Sequence, residues 1–339
     1  MRSMNVRRFG KLPSLTIATA LLLVSLGAAL GQSAPDRPTS GQEAKDRAIV
    51  EQFWPRQLLN DDAAGVAEHG PPSTARFAFV AADLNGTGRK EFLVALYVWA
   101  GGGAMRVLKK QGDTAVVVDE PKLCPFIGGG VFLPEVSAMD LDKSGRPAIL
   151  AGNTDNYGRP QPWIFKWDGT GLKSLGAQTP VRGLPCTDLV DPLFVDLDGD
   201  GVFEIVNGFE SERPDQTGPA RTRVYKLENG VYKQTGIFEY FFYGIGAGGE
   251  DTFLARHPEA PYVVTVANGS GKDEPPVGAA EIRLNGQLIA GADKINRKSR
   301  YLSIPVTVKD QNSVEVKILS GSNESRLYVG VGPVPSGSH

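Results

Sequence analysis

Two cysteines, three histidines and four methionines in 339 residues leave little material for the commoner metal and redox centres. His69, His257 and His339 are scattered, so with two cysteines they offer no zinc-ligand spacing and few candidates for a Ser-His-Asp or Cys-His site. Bulk positive charge is also missing: 36 Lys and Arg stand against 38 Asp and Glu, and no basic patch for nucleic acid is expected. Outside the N-terminal segment no apolar run is long enough to span a bilayer. There is no G-x-S-x-G elbow, and Gly269-Ser270-Gly271-Lys272 lacks the spacing of a P-loop. Gly244-Ile245-Gly246-Ala247-Gly248-Gly249 does match G-x-G-x-x-G. Pro258 interrupts the helix that should follow it and no βαβ unit surrounds it, so it reads as an interdomain linker.

Glycine (41) and proline (24) are plentiful, which favours turns over long helices, while 41% hydrophobic residues suffice for a core. The length suggests two domains. Residues 1–31 read as a secretory signal peptide: Arg2, Arg7, Arg8 and Lys11 precede an apolar stretch from Ile17 to Leu30, and Ala29 and Gly31 are small residues at a cleavage site. An uncleaved anchor is the alternative. Export, to the periplasm or outside the cell, makes a Cys124–Cys186 disulfide the expected state of the two cysteines, with two buried free thiols as the alternative.

The main signal is an internal repeat. Three segments align, beginning at Asp83, Asp140 and Asp196, which are 57 and 56 residues apart. Each carries D-x-[DN]-x-[DST]-G, then an apolar strand, a variable stretch and a hairpin at Gly112-Asp113, Asp168-Gly169 or Asn229-Gly230. Four short antiparallel strands per repeat follow, placed in the last one at Pro192–Val195, Glu204–Gly208, Arg223–Lys226 and Val231–Gln234. An EF-hand needs flanking helices and a bidentate Glu at loop position 12, where this chain has Val94, Ala151 and Asn207. Oxygen ligation from positions 1, 3, 5 and 9 with a carbonyl at 7 does fit, and the Gly at position 6 permits the turn.

These segments resemble the FG-GAP or VCBS-type repeat of integrin α-subunits and many bacterial exported proteins, over about Ala75 to Tyr243; the Phe-Gly and Gly-Ala-Pro sequences that name it are absent. The resemblance implies four-stranded β-propeller blades with Ca²⁺ in an Asp-rich loop. It implies Asp196, Asp198, Asp200, the Val202 carbonyl and Glu204 as ligands in the third loop. In the first loop it implies Asp83, Asn85, Thr87 and Glu91, and in the second Asp140, Asp142 and Ser144, with Ala148 unable to ligate. Four carboxylates against two in each other loop rank the third site first. Self-satisfied polar turns are the alternative for every loop.

Three repeats fall short of the usual four blades. Ile237–Tyr243 stands where a vestigial fourth would begin; an open array, or one completed by a second chain, is the alternative. Residues 32–74 contain an expected amphipathic helix from Glu43 to Asn60, presenting Ile49, Val50, Phe53 and Trp54. Beyond Gly249, six alternating strands imply a β-sandwich over 249–335. Ile282–Leu288, Pro305-Val306 and Asn312–Val316 resemble a small sandwich module of bacterial exported proteins. The expected chain is therefore all-β: blades, then a sandwich. Its expected function is that of an exported calcium-binding module for adhesion or scaffolding with protein or glycan partners. A carbohydrate-active enzyme using Asp188, Asp191 and Glu210, with Trp163, Trp167, Tyr157, Tyr240 and Tyr243 as sugar-stacking rings, is the alternative.

Overall fold

The computed structural model describes residues 41–55, 76–99, 102–123, 134–154, 160–176, 178–181, 184–187, 189–190, 192–207, 222–244, 248–269 and 274–334. The expected signal peptide, Cys124, Tyr157, Asp188, Asp191 and Glu210 lie outside them. With Cys124, the expected Cys124–Cys186 bridge lies outside the described residues. No described helix is long and apolar enough to cross a membrane.

The chain is all-β, with five four-stranded antiparallel sheets, a two-stranded hairpin of β9 (Gln178–Val181) and β10 (Leu184–Thr187), and one described helix, α1 (Gly41–Glu51). The three repeats each form a meander. The first blade is β1 (Arg76–Ala82), β2 (Phe92–Trp99), β3 (Gly102–Gln111) and β4 (Thr114–Asp119). The second is β5 (Pro134–Met139), β6 (Ala148–Thr154), β7 (Pro160–Trp167) and β8 (Leu172–Ser174). The third is β11 (Leu193–Val195), β12 (Glu204–Asn207), β13 (Thr222–Glu228) and β14 (Val231–Phe238). Asn229 and Gly230, at φ 52° and 77°, give the β13–β14 turn the left-handed pair that matches strand twist, and Asn285-Gly286 repeats it in the sandwich.

These blades stack face to face instead of closing into a ring. Leu96, Val98 and Val107 of the first blade pack on Ile149, Trp163 and Phe165 of the second. Leu150 and Ile164 on the other face of the second meet Ile205, Tyr225 and Tyr232 of the third. Inner strands are thus buried on both sides, which is why Phe92–Val98 is apolar throughout instead of alternating. Both ends are covered within the chain. Ile49 and Val50 of α1 lie on Leu93, Ala95 and Tyr97, and the Tyr97 hydroxyl donates to the Val50 carbonyl at 2.9 Å. The helix stops at Glu51, short of the expected Asn60, with Pro55 close behind. At the far end Val206, Val224 and Phe238 pack on Ala267 and Tyr328 of the C-terminal sandwich. Capped in this way, the inner strands of the three repeats are covered on both faces.

The expected fourth blade is not formed. Ile237 and Phe238 finish β14, and after Glu239 the chain enters β15 (Tyr240–Gly244), which pairs with β22 (Leu327–Pro333). The inner sandwich sheet is ordered β15-β22-β17-β20, with β17 Tyr262–Asn268 and β20 Tyr301–Val306. The outer one is β16-β21-β18-β19, comprising Gly248–Leu254, Gln311–Ser320, Ala279–Leu284 and Gln287–Ala290. The sandwich therefore has eight strands, two more than its alternation predicts: β15 is the segment expected to open a fourth blade, and β16 begins in the glycine-rich run that reads as a linker. Gly248 sits at φ 103° with the Val316 carbonyl where a Cβ would stand. That glycine serves close strand packing, and a strand follows where a dinucleotide site would need a helix.

Candidate metal centre

The three acidic loops join the first two strands of their blades and lie in a row. Arg146 of the second loop packs against Gly86 of the first, and Lys143 of the second against Gly201 of the third. The Phe203 N–H donates to the Leu141 carbonyl at 2.8 Å, and Tyr301 of β20 covers Gly199. Bases are thus interleaved with the acids along the row.

In the first loop both oxygens of Asp83 are engaged, accepting the N–H of Thr87 at 3.0 Å and of Gly88 at 2.6 Å. The Thr87 hydroxyl donates to Asn85 at 3.0 Å, and Glu91 pairs with Arg89 at 2.9 Å. Strand register sets this loop apart. Ala82 pairs with Phe92, whereas Met139 pairs with Ala148 and Val195 with Glu204. The structural counterpart of Glu204 is therefore Phe92, and Glu91, its counterpart by sequence count, stands one position away. A one-residue difference in loop length reverses the side-chain face in a strand.

The second loop repeats the same turn. Asp140 accepts from Ser144 at 3.1 Å and from Gly145 at 2.9 Å. Lys166 of β7 pairs with Asp142 and donates to the Ser144 hydroxyl at 2.9 Å. Burial pushes the Asp142 carboxyl up, but Lys166 and Ser144 outweigh it and hold it below the usual range. Ala148 is fully buried and supplies no ligand. Asx-turn bonds of this kind satisfy Asp and Ser without a metal.

The third loop differs in its charge. Asp196, Asp198 and Glu204 each place an oxygen within 4.8 Å of the others. Oxygens bound 2.3–2.6 Å from one Ca²⁺ can be at most about 5 Å apart, so the three fit around a single ion. Asp196 accepts from Gly199 at 2.7 Å and from the Tyr301 hydroxyl at 3.1 Å. Asp198 accepts from the Asp200 N–H at 3.1 Å, and Asp200 from the Val202 N–H at 2.7 Å. Glu204 is only 3% exposed; its Oε2 accepts the Leu197 N–H at 2.7 Å, and its buried Oε1 has no hydrogen bond. Burial pushes the Glu204 carboxyl up to about 7, against the pull of the Leu197 N–H.

Lys226 of β13 is the cation nearest these acids. It pairs with Asp198, lies 3.1 Å from Asp200 and stands 3.7 Å from the orphaned Glu204 Oε1. Burial lowers its pKa, but the carboxylates outweigh that and raise it. One ammonium cannot balance Asp196, Asp198, Asp200 and Glu204. A hard divalent cation fits this donor set, which is all oxygen and in negative excess.

Sequence reasoning missed Lys226 and Tyr301. Lysines three or four residues before the hairpin glycines Gly112, Gly169 and Gly230 were the available signal for the first; nothing local announced the second. Trp163, Trp167 and Tyr240, weighed as sugar platforms, are buried core residues, and Tyr243 stacks on Tyr328 at 5.0 Å.

No protein-family profile and no curated protein matches the chain. Solved structures give remote superpositions. With the CBM51-2 and INT domains of Clostridium perfringens ZmpB the identity is 9% and the TM-score 0.23, over 80% of this chain and 43% of that one. With the exo-beta-1,3-galactanase of Phanerochaete chrysosporium they are 10% and 0.15, over 77% and 57%. With the fructofuranosidase of Schwanniomyces occidentalis they are 7% and 0.16, over 76% and 83%. The chain spans less than half of the first of these and just over half of the second.

Proposed function

We propose that the protein is an exported calcium-binding repeat module that acts in binding, adhesion or scaffolding with protein or glycan partners. The observation that carries the metal is Glu204 Oε1, a buried carboxylate oxygen without a hydrogen bond, directed at a cluster already in negative excess. A buried oxygen without a hydrogen bond costs about 1–3 kcal/mol, which the Lys226 ammonium at 3.7 Å offsets in part and a directly bound cation would remove. Asp196, Asp198, Asp200 and Glu204, with the Val202 carbonyl, are the groups that would hold Ca²⁺. Asp196 also contacts Tyr301, so the ion would tie the third blade to the sandwich and set the row of loops as one rigid face for a partner.

Thermal unfolding in excess EDTA and in millimolar Ca²⁺ tests this reading. At one hundred times the dissociation constant, binding to the folded state alone adds about 2.7 kcal/mol. The expected midpoint rises in Ca²⁺ and fails to rise in Asp198→Ala; no rise in the unaltered protein refutes the metal. A glycan array in calcium buffer then addresses the partner, where binding without new reducing or unsaturated ends is the expected result.

A further inference from the structure

The three blades share a feature apart from their acidic loops. A lysine stands on the third strand, opposite the first residue of the second strand: Lys109 faces Phe92 and Lys166 faces Ala148 in register, and Lys226 follows Tyr225 into the place opposite Glu204. The lysine is common to all three positions, but its surroundings are not. In the first blade its ammonium lies 6.0 Å from the centre of the Phe92 ring. In the second it meets Asp142 and Ser144, and in the third it enters a group of four carboxylates.

We propose that Lys226 is a tethered counter-ion of the third loop, which a divalent cation must displace from Asp198, Asp200 and Glu204 in order to bind. Lys166 is the permanent form of the same device, because the second loop has no ninth-position carboxylate with which a metal could outbid it. The inference rests on the metal reading of the third loop and adds a competitor to it. Two ions of like sign cannot share one set of oxygens at contact distance without strong repulsion, and the ammonium already holds two of these acids and stands beside a third. The tether keeps the loop folded without metal and raises the calcium concentration at which it responds.

Calorimetric Ca²⁺ titration of the full chain, with thermal midpoints in EDTA, tests this on Lys226→Met and Lys166→Met. Lys226→Met is expected to bind Ca²⁺ at least tenfold more tightly than the unaltered protein, to melt lower in EDTA and to recover in Ca²⁺. Lys166→Met is expected to melt lower in EDTA without recovery beyond that of the unaltered protein. Calcium affinity within threefold of the original in Lys226→Met, with binding intact, overturns the displacement alone. Absence of calcium binding in both the unaltered protein and Lys226→Met overturns the metal reading and the displacement together. Lys226→Gln, a polar neutral replacement, provides the same comparison should the methionine variant fail to fold.

Discussion

The second and third blades hold nearly the same loop in the same register, and they resolve its charge in opposite ways. In both, an aspartate at position 1 caps the turn and a lysine from the third strand reaches the aspartate at position 3. Positions 5 and 9 separate them: Asp200 stands where the second loop has Ser144, and at position 9 Ala148 completes an apolar contact where Glu204 brings a buried carboxylate to a loop whose Asp198 and Asp200 stay open to solvent. Two acids and a lysine can satisfy one another with backbone N–H groups. Four acids and a lysine cannot. The third loop is thus the second loop's turn with two more carboxylates, one of them buried, and the first blade, with Phe92 in the ninth place, shows the same turn without the buried charge.

The largest effect that separates the two loops is their response to pH in EDTA. Glu204 is raised from 4.5 to about 7, so its contribution is full below about pH 4.5 and is lost as pH rises through about 7. The unfolded chain is then favoured by about 3 kcal/mol more at pH 8 than at pH 4 from this group alone. Asp142 is lowered, so its contribution is present above the ordinary aspartate range and lost as pH falls through its folded value. Urea unfolding between pH 4 and 8 is expected to show a decline in stability towards high pH that Glu204→Gln removes and Asp142→Asn leaves in place. A decline unaltered in Glu204→Gln would assign it to another group.

Transplanting the distinction is the next test. Ala148→Glu puts a carboxylate into the fully buried ninth position of the second loop. It is expected to cost about 1–3 kcal/mol in EDTA and to recover part of that in Ca²⁺, measured as a calcium-dependent midpoint shift greater than that of the unaltered protein. An equal loss with and without calcium would show that Lys166 holds its acids too tightly for the loop to be converted. A smaller change is expected of Tyr301→Phe, which removes the 3.1 Å bond to Asp196 and should cost about 0.5–1.5 kcal/mol in EDTA. Arg89→Ala breaks only the exposed pair with Glu91 and should stay within about 0.5 kcal/mol, with the calcium response intact.

Much of this was legible from local pattern. Strand pairs joined by Asn229-Gly230 and Asn285-Gly286 occur where the turn residues place them, since only a left-handed pair lets the strands continue without splaying. The prominence of the third loop followed from counting its carboxylates. Less legible was the first loop: counted from Asp83, Glu91 takes the place of Glu204, yet pairing begins one residue later and Phe92 occupies it. Register is set by how the side chains of β2 fit the layers on both of its faces, and that is not a property of the loop.

Composition and periodicity alone determined that this chain is built of strands, that three of its segments are copies, and that acids collect at the first turn of each. These are near-neighbour effects, carried by turn residues and by alternating or continuous apolar runs. The tertiary structure alone decided that the copies stack in a capped row, that Tyr240–Gly244 belongs to the sandwich, and that Lys226 and Tyr301 meet the acids of the third loop. Those contacts join residues 28 and 105 positions apart. They form because every blade must cover two apolar faces, and the elements that cover them bring their own charges to the loops.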